Sequence, residues 1–80
     1  MNREDIKNKI KDIIVDKNDV DAVEVTENAN FETDLGMDIL DRVELLMEIE
    51  KEYDITIPDD DAEKSITIND CVDMVEKLKK

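Results

Sequence analysis

The sequence predicts an all-α fold: a small four-helix bundle of three main helices and one short helix, with a long loop between the first two helices. Three observations support this prediction. Apolar residues recur at helical spacing in three segments, the one segment with extended character has no partner strand, and 80 residues are enough for one small core. We therefore expect residues 1–80 to form a single domain.

The first helix is predicted over residues 2–16, because isoleucines recur there on one face with a period of about 3.6 residues. This face consists of Ile6, Ile10, Ile13 and Ile14. From residue 18 to residue 38 the chain shows short polar clusters without a helical pattern, which predicts a long loop. Loops of this length are usually held by their own apolar side chains, and we expect Phe31 and Leu35 to hold this one.

The central helix follows the only glycine, Gly36, and is predicted to begin at about Ile39 with Asp38 as its N-cap. Two apolar stripes run along it. The first, expected to face the core, consists of Leu45, Leu46, Ile49 and Tyr53. The second consists of Leu40, Val43 and Met47, flanked at helical-neighbour spacing by Asp41, Glu44, Glu48 and Glu52.

The second stripe has no obvious place in the predicted core, so we interpret it as a partner-binding surface. A few apolar anchors supply most of the binding energy at protein interfaces, while surrounding charges speed encounter and select partners. The residues predicted to bind a partner are Leu40, Asp41, Val43, Glu44, Met47 and Glu48. The alternative is that Leu40 and Val43 bury against the long loop.

Beyond the central helix, residues 54–58 are expected to be extended, because a residue that precedes a proline is disfavoured in the α conformation. Residues 59–64 are expected to form one short helical turn. Thr67 and Asp70 have the spacing of a capping box that opens the last helix. The apolar face of that helix consists of Ile68, Cys71, Val72, Val75 and Leu78.

The chain is strongly acidic, with a formal net charge of −13. Residues 34–63 alone hold twelve acidic and two basic side chains. Such a charge repels nucleic acid and anionic lipid and favours basic partner surfaces. No apolar run is long enough for a membrane span, and the first five residues lack the hydrophobic segment of a signal peptide. We therefore expect a cytoplasmic monomer that binds neither membranes nor nucleic acid.

Catalysis and a specific metal site are both disfavoured. Without histidine, the chain lacks the usual proton shuttle at neutral pH. A calcium loop beginning at Asp34 would place Ile39 at the sixth position, where glycine is required. We predict no enzymatic activity and no metal site, with weak cation binding by the acidic clusters as an alternative. Cys71 is interpreted as a buried, inert thiol, and Ser65, the only serine, as a loop or capping residue before the last helix.

The segment Asp34-Leu-Gly-Met-Asp-Ile-Leu-Asp-Arg-Val-Glu-Leu-Leu-Met-Glu-Ile-Glu resembles the signature of acyl carrier proteins, in which an Asp-Ser-Leu triplet follows a Leu-Gly turn and opens the second helix. The likeness extends to Val25-Thr26, Asn30-Phe31, Ile57-Pro58-Asp59, Ala62-Glu63-Lys64 and the final helix. The resemblance implies a four-helix bundle without catalysis, which carries acyl groups as thioesters on 4′-phosphopantetheine during fatty-acid or related biosynthesis.

The resemblance places Ile39 at the position of the serine that bears 4′-phosphopantetheine, with Asp38 and Leu40 matching its neighbours. Isoleucine has no oxygen to attack the pyrophosphate of coenzyme A, so we expect no cofactor on this chain as written. Thr33 and Ser65 are too far along the chain to be expected beside this helix start, where backbone N–H groups could receive a phosphate.

Two explanations of Ile39 are open. Either the serine of an ordinary carrier was replaced, or a natural carrier-like protein has lost loading and kept binding. Met37 favours the second, because the family commonly has a small residue there. A separate hypothesis is that Ile39 stabilises the fold by covering part of the second stripe.

The resemblance also implies which proteins bind the central helix. In the family, basic patches on partner enzymes recognise it, which here points to enzymes of fatty-acid or polyketide synthesis and to phosphopantetheinyl transferase. The alternative is a regulatory or decoy module of carrier fold that binds such partners and never carries substrate.

Overall fold

Four helices in the computed structural model confirm the predicted fold class. They are α1 (Arg3–Asn18), α2 (Ile39–Tyr53), α3 (Asp59–Lys64) and α4 (Ile68–Leu78). Helices α2 and α4 both pack against α1, and no strand occurs in the part of the chain that the structure describes. The described residues are 2–18 and 20–79; Asp19, which belongs to the predicted loop, lies outside them. No helix in these ranges is long and apolar enough to span a membrane.

The core is built from one apolar face of each long helix. The buried side chains of α1, α2 and α4 are Ile6, Ile10, Ile14, Leu45, Leu46, Ile49, Ile68, Cys71, Val72, Met74 and Val75. These residues recur at the three- and four-residue intervals that place side chains on one side of a helix. The periodic faces predicted from the sequence are therefore the ones that close the bundle, with Ile13, Tyr53 and Leu78 partly buried at its margin.

The start of α2 is fixed by side chains that satisfy its first backbone N–H groups. Gly36 has φ 67°, a left-handed conformation that glycine adopts without strain, and it turns the chain toward the helix. Asp38 Oδ1 accepts a hydrogen bond from Asp41 N at 2.8 Å, and Asp41 Oδ2 accepts one from Asp38 N at 3.2 Å. The predicted cap and helix start are confirmed, and the reciprocal bond from Asp41 completes a capping box.

The start of α4 has the same arrangement. Thr67 Oγ1 accepts a hydrogen bond from Asp70 N at 3.2 Å, and Asp70 Oδ2 accepts one from Thr67 N at 3.1 Å. This confirms the capping box predicted from the spacing of the two residues. The same carboxylate oxygen also accepts from Ile66 N at 3.2 Å, which fixes the chain just before the helix.

The loop between α1 and α2 is more ordered than its polar sequence predicts. It contains a short 3₁₀ helix, Ala22–Glu24, and an isolated bridge between Asn30 and Thr67. Phe31 N donates to Ile66 O at 3.0 Å, and Ile68 N donates to Ala29 O at 3.2 Å. The loop is therefore fastened by its backbone to the segment that opens α4, a contact the sequence did not predict.

Apolar side chains hold the same loop from within. Phe31 and Leu35 are buried, as predicted, and so are Val25, Ala29 and Met37. Met37 N also donates to Phe31 O at 2.9 Å, which closes the turn before α2. Burial of several apolar groups explains how a loop of this length keeps a defined path without long regular structure.

The connection from α2 to α4 is short and tightly bonded. Asp54 ends α2 in a left-handed conformation, φ 54°, which the sequence did not predict. Ile57 N donates to Glu50 Oε2 at 2.8 Å, so a side chain of α2 holds the extended segment that follows it. After Pro58 the chain turns into α3, which confirms the short helix predicted over residues 59–64.

Candidate functional site

The inner side of α2 contributes to the core as predicted. Leu45, Leu46 and Ile49 are buried, and Tyr53 is half-buried at the end of the helix. Burial in this apolar environment raises the pKa of the Tyr53 hydroxyl, and the charges of Glu52 and Asp5 add to the effect. This side of the helix therefore packs in the core and stabilises the bundle.

The outer side of α2 is exposed. We call Leu40, Val43 and Met47 the exposed stripe; these residues are 64%, 45% and 52% accessible. The sequence left open whether Leu40 and Val43 bury against the long loop, and the structure does not bury them. Three large apolar residues therefore face solvent on one side of a helix whose other side is packed.

The acidic residues beside the exposed stripe differ in whether their carboxylates already form hydrogen bonds or ion pairs within the chain. Asp41 holds the capping box of its own helix. Glu48 Oε1 lies 3.5 Å from Lys17 Nζ and 3.8 Å from Lys51 Nζ. Glu44 is exposed and has no ion-pair partner among the described residues. Of the acids assigned to this surface from the sequence, Glu44 is the one most available to an incoming cation.

Ile39 is the first residue of α2 and is 77% exposed. It borders a surface recess of about 240 Å³ between α2 and α3, together with Val43 and Leu46. Ile39 is itself exposed and the stripe beside it remains accessible, so the hypothesis that Ile39 stabilises the fold by covering part of this stripe stays a prediction.

The far side of the same recess is formed by α3. Ala62 supplies an apolar contact, and Asp59 and Glu63 supply two exposed carboxylates one helical turn apart. The sequence alone did not indicate that these acids belong to the site. Their i, i+4 spacing was visible in the predicted short helix, but only the packing of α3 beside α2 shows that they flank Ile39.

The one basic side chain among the described residues that line the recess is Arg42. Its Nη1 lies 3.3 Å from Glu32 Oε1, so the turn that precedes α2 already neutralises it. The recess therefore combines apolar walls with a net negative rim.

The side chains at the start of α2 do not fit covalent attachment of 4′-phosphopantetheine. Ile39 offers only hydrocarbon. Ser65 is the C-cap of α3, which confirms its prediction as a loop or capping residue. Its side chain is buried, and its Oγ donates to Asp61 O at 2.9 Å and contacts Met74 Sδ at 3.3 Å. An enclosed hydroxyl with its hydrogen bond already made is not available to a modifying enzyme.

Cys71 is buried in the core, and burial raises the pKa of its thiol to about 12. A thiol with this pKa is protonated at neutral pH and is a poor nucleophile, which agrees with its interpretation as inert. Among the described residues, no three or more Asp, Glu, His or Cys side chains are arranged to hold a metal ion.

Comparison with known proteins adds independent observations. A family model described as a phosphopantetheine attachment site matches residues 8–75 of the chain. The acyl carrier proteins of two strains of Porphyromonas gingivalis, ATCC 33277 and W83, are each 48% identical to it over 73 residues. These alignments cover 91% of this chain and 94% of each relative.

Proposed function

The chain belongs to the acyl carrier protein family, and on this premise we propose that it docks on enzymes of fatty-acid or related synthesis in a form that cannot be loaded. Members of this family are carrier proteins rather than enzymes. The family uses 4′-phosphopantetheine, and Ile39 at the attachment position excludes the group from this chain. The partners are basic surfaces on synthesis enzymes and on phosphopantetheinyl transferase.

The observation that carries the docking proposal is the exposed stripe on a helix that is otherwise packed. Leaving Leu40, Val43 and Met47 in water costs solvation free energy, which a partner can recover by covering them. The acids around the stripe select a basic partner and speed its approach. The concentration of negative charge in residues 34–63 supports the same choice.

The proposal that Ile39 prevents loading rests on its chemistry and its neighbours. Asp38 and Leu40 match the residues that flank the family's serine, and both lie at the start of α2. A hydrocarbon side chain has no nucleophilic oxygen to attack the pyrophosphate of coenzyme A, so it cannot form the phosphodiester to 4′-phosphopantetheine. The chain as written therefore acts through binding, as a cytoplasmic monomeric domain, since its negative charge opposes pairing with a second copy.

A regulatory or decoy module is the second candidate, and Ile39 is the observation that favours it. A protein that keeps the docking surface but carries no acyl group would occupy partner enzymes without delivering substrate. The two candidates make the same prediction for binding. They differ in whether a substituted form with serine at position 39 can still be loaded by the family's modifying enzyme.

The binding proposal is tested by measuring the affinity of the chain for purified phosphopantetheinyl transferase at low and high ionic strength. We expect affinity to fall as salt rises, because salt screens exposed charges. We expect a further loss in the double variant Met47→Ala with Glu44→Lys. Glu24→Lys is the matched control, since Glu24 is exposed on the 3₁₀ helix and away from α2.

Two results would overturn the binding proposal. One is an affinity that stays constant between low and high ionic strength. The other is that the double variant and the Glu24→Lys control both bind the transferase with the same affinity as the unsubstituted chain.

A further inference from the structure

The stability of the bundle does not explain why an isoleucine occupies position 39. Ile39 is 77% exposed, so its substitution removes little burial from the folded state. A bulky apolar side chain at an exposed helix start carries a solvation cost that a polar residue would avoid. A role outside the isolated fold is therefore the more direct explanation.

Ile39 also connects two features of the surface. On one side it borders the recess between α2 and α3, with Val43 as the next residue on the same side of the helix. On the other side it adjoins Leu40, the first residue of the exposed stripe. Val43 belongs to both the recess and the exposed stripe, so Ile39, the recess and the stripe form one continuous apolar surface.

We propose that Ile39 is an apolar anchor for a basic partner protein, which places an apolar side chain in the recess against Ile39 and Val43 and pairs its cations with Asp59 and Glu63. This inference rests on the proposed docking function. It extends the docking surface from α2 onto α3, and it assigns binding to a residue whose position in the family carries the cofactor.

The charges around the recess select this occupant over a second copy of the chain. Asp59 and Glu63 line the recess and are exposed on α3, and Glu44 is exposed on α2 outside the recess lining. Arg42 is held by Glu32, so it does not offset these charges. A second copy would bring the same carboxylates against them and be repelled, whereas lysine or arginine side chains of a partner complement them.

This arrangement has a consequence for competition between carriers. An isoleucine contributes apolar contact area that a serine does not, so the unloaded chain gains affinity from the same position that makes loading impossible. The chain thereby competes with loadable carriers for the partner surface. The effect is strongest for a partner whose apolar side chain reaches the recess.

The experiment measures affinity for phosphopantetheinyl transferase in the absence of coenzyme A, comparing the unsubstituted chain with Ile39→Ala and Ile39→Ser. We expect both substitutions to weaken association by about tenfold, the loss typical of an interface anchor. The matched control is Val23→Ala, because Val23 is 84% exposed but lies on the 3₁₀ helix, away from the recess. We expect the control to bind within about twofold of the unsubstituted chain.

A second, independent variant tests the role of the carboxylates on α3. Glu63→Lys is expected to weaken binding to the transferase, while Glu24→Lys is expected to leave it unchanged. Thermal unfolding followed by circular dichroism should give the same Tm for Ile39→Ala as for the unsubstituted chain, which separates an anchor from a structural residue.

The failure of this inference differs from the failure of the docking proposal. If Ile39→Ala and Ile39→Ser bind like the unsubstituted chain while Glu44→Lys is weakened, α2 docks but Ile39 is not an anchor. If the unsubstituted chain shows no binding to the transferase at low ionic strength, the docking function and this inference are both overturned.

Discussion

The two sides of α2 have similar composition and different roles. Leu45, Leu46 and Ile49 on one side are buried in the core with the isoleucines of α1, whereas the exposed stripe on the other side faces solvent and has carboxylates beside it. Both sets recur at helical spacing, so periodicity alone does not separate them. One helix can therefore hold the fold together and still present an apolar surface, because different residues supply stability and recognition.

The largest expected effect comes from a substitution on the buried side. Ile49→Ala removes a fully buried side chain and leaves a cavity, so we expect the free energy of unfolding to fall by about 3 kcal/mol. Met47→Ala lies two positions away on the exposed stripe and should change it by less than about 0.5 kcal/mol. Urea denaturation followed by circular dichroism measures both.

Equal destabilisation by the two substitutions would contradict the conclusion that only the buried side of α2 supports the stability of the fold. So would a large loss of stability in Met47→Ala alone, because it would show that the stripe is buried in solution.

Cys71 tests the buried region through pH. Its thiol has a pKa of about 12 in the folded protein, above the ordinary value of 9.0, so the folded state retains the proton more strongly than the unfolded chain. Stability from this group is therefore complete below pH 9 and is lost as pH rises toward 12. Each pH unit in this window costs about 1.4 kcal/mol. Cys71→Ala should lack that loss, which the difference between the two pH profiles of unfolding measures.

The same comparison can be made chemically at pH 8. Iodoacetamide should alkylate Cys71 slowly in the native protein and rapidly in urea. Rapid alkylation of the native protein would show that the thiol is exposed, contrary to its position in the core.

The capping box at the N-terminus of α2 holds the end from which both sides of the helix begin. Asp38→Ala removes the acceptor for Asp41 N, and we expect the free energy of unfolding to fall by about 1 kcal/mol. Asp38→Asn is the matched control, because asparagine caps a helix as well as aspartate does. Urea denaturation of the three proteins measures the effect, and a loss in Asp38→Asn equal to that in Asp38→Ala would contradict the role of the hydrogen bond.

The smallest expected effect on stability comes from Glu44. It is exposed without an ion pair among the described residues, so Glu44→Lys should change the free energy of unfolding by less than about 0.5 kcal/mol. The same substitution should weaken binding to a basic partner, which sets recognition apart from stability. A stability loss comparable to that of Asp38→Ala would place Glu44 among the residues that hold the fold.

Much of this fold is predictable from the sequence because its determinants are local. The isoleucine spacing of α1, the cap at Asp38 and the capping box at Thr67 each depend on residues within one or two turns. Such features need no knowledge of tertiary structure. The burial of Phe31 and Leu35 was predictable because a loop of this length is usually held by its own apolar side chains.

The features that the sequence did not reveal depend on contacts between distant segments. Ser65 is buried because α3 and α4 enclose it, and its small polar side chain gives no periodic signal of that burial. Asp59 and Glu63 join the candidate site only because α3 packs beside the start of α2. The backbone bonds from the long loop to Ile66 and Ile68 likewise join segments more than 30 residues apart.

The most direct test of the central claim is the intact mass of the chain after incubation with coenzyme A and phosphopantetheinyl transferase. The comparison is between the unsubstituted chain and Ile39→Ser, with circular dichroism confirming that both are helical. We expect only Ile39→Ser to gain the mass of 4′-phosphopantetheine. A gain of that mass by the unsubstituted chain, or its absence from a folded Ile39→Ser variant, would contradict the claim that Ile39 occupies the attachment position of a carrier that partners still recognise.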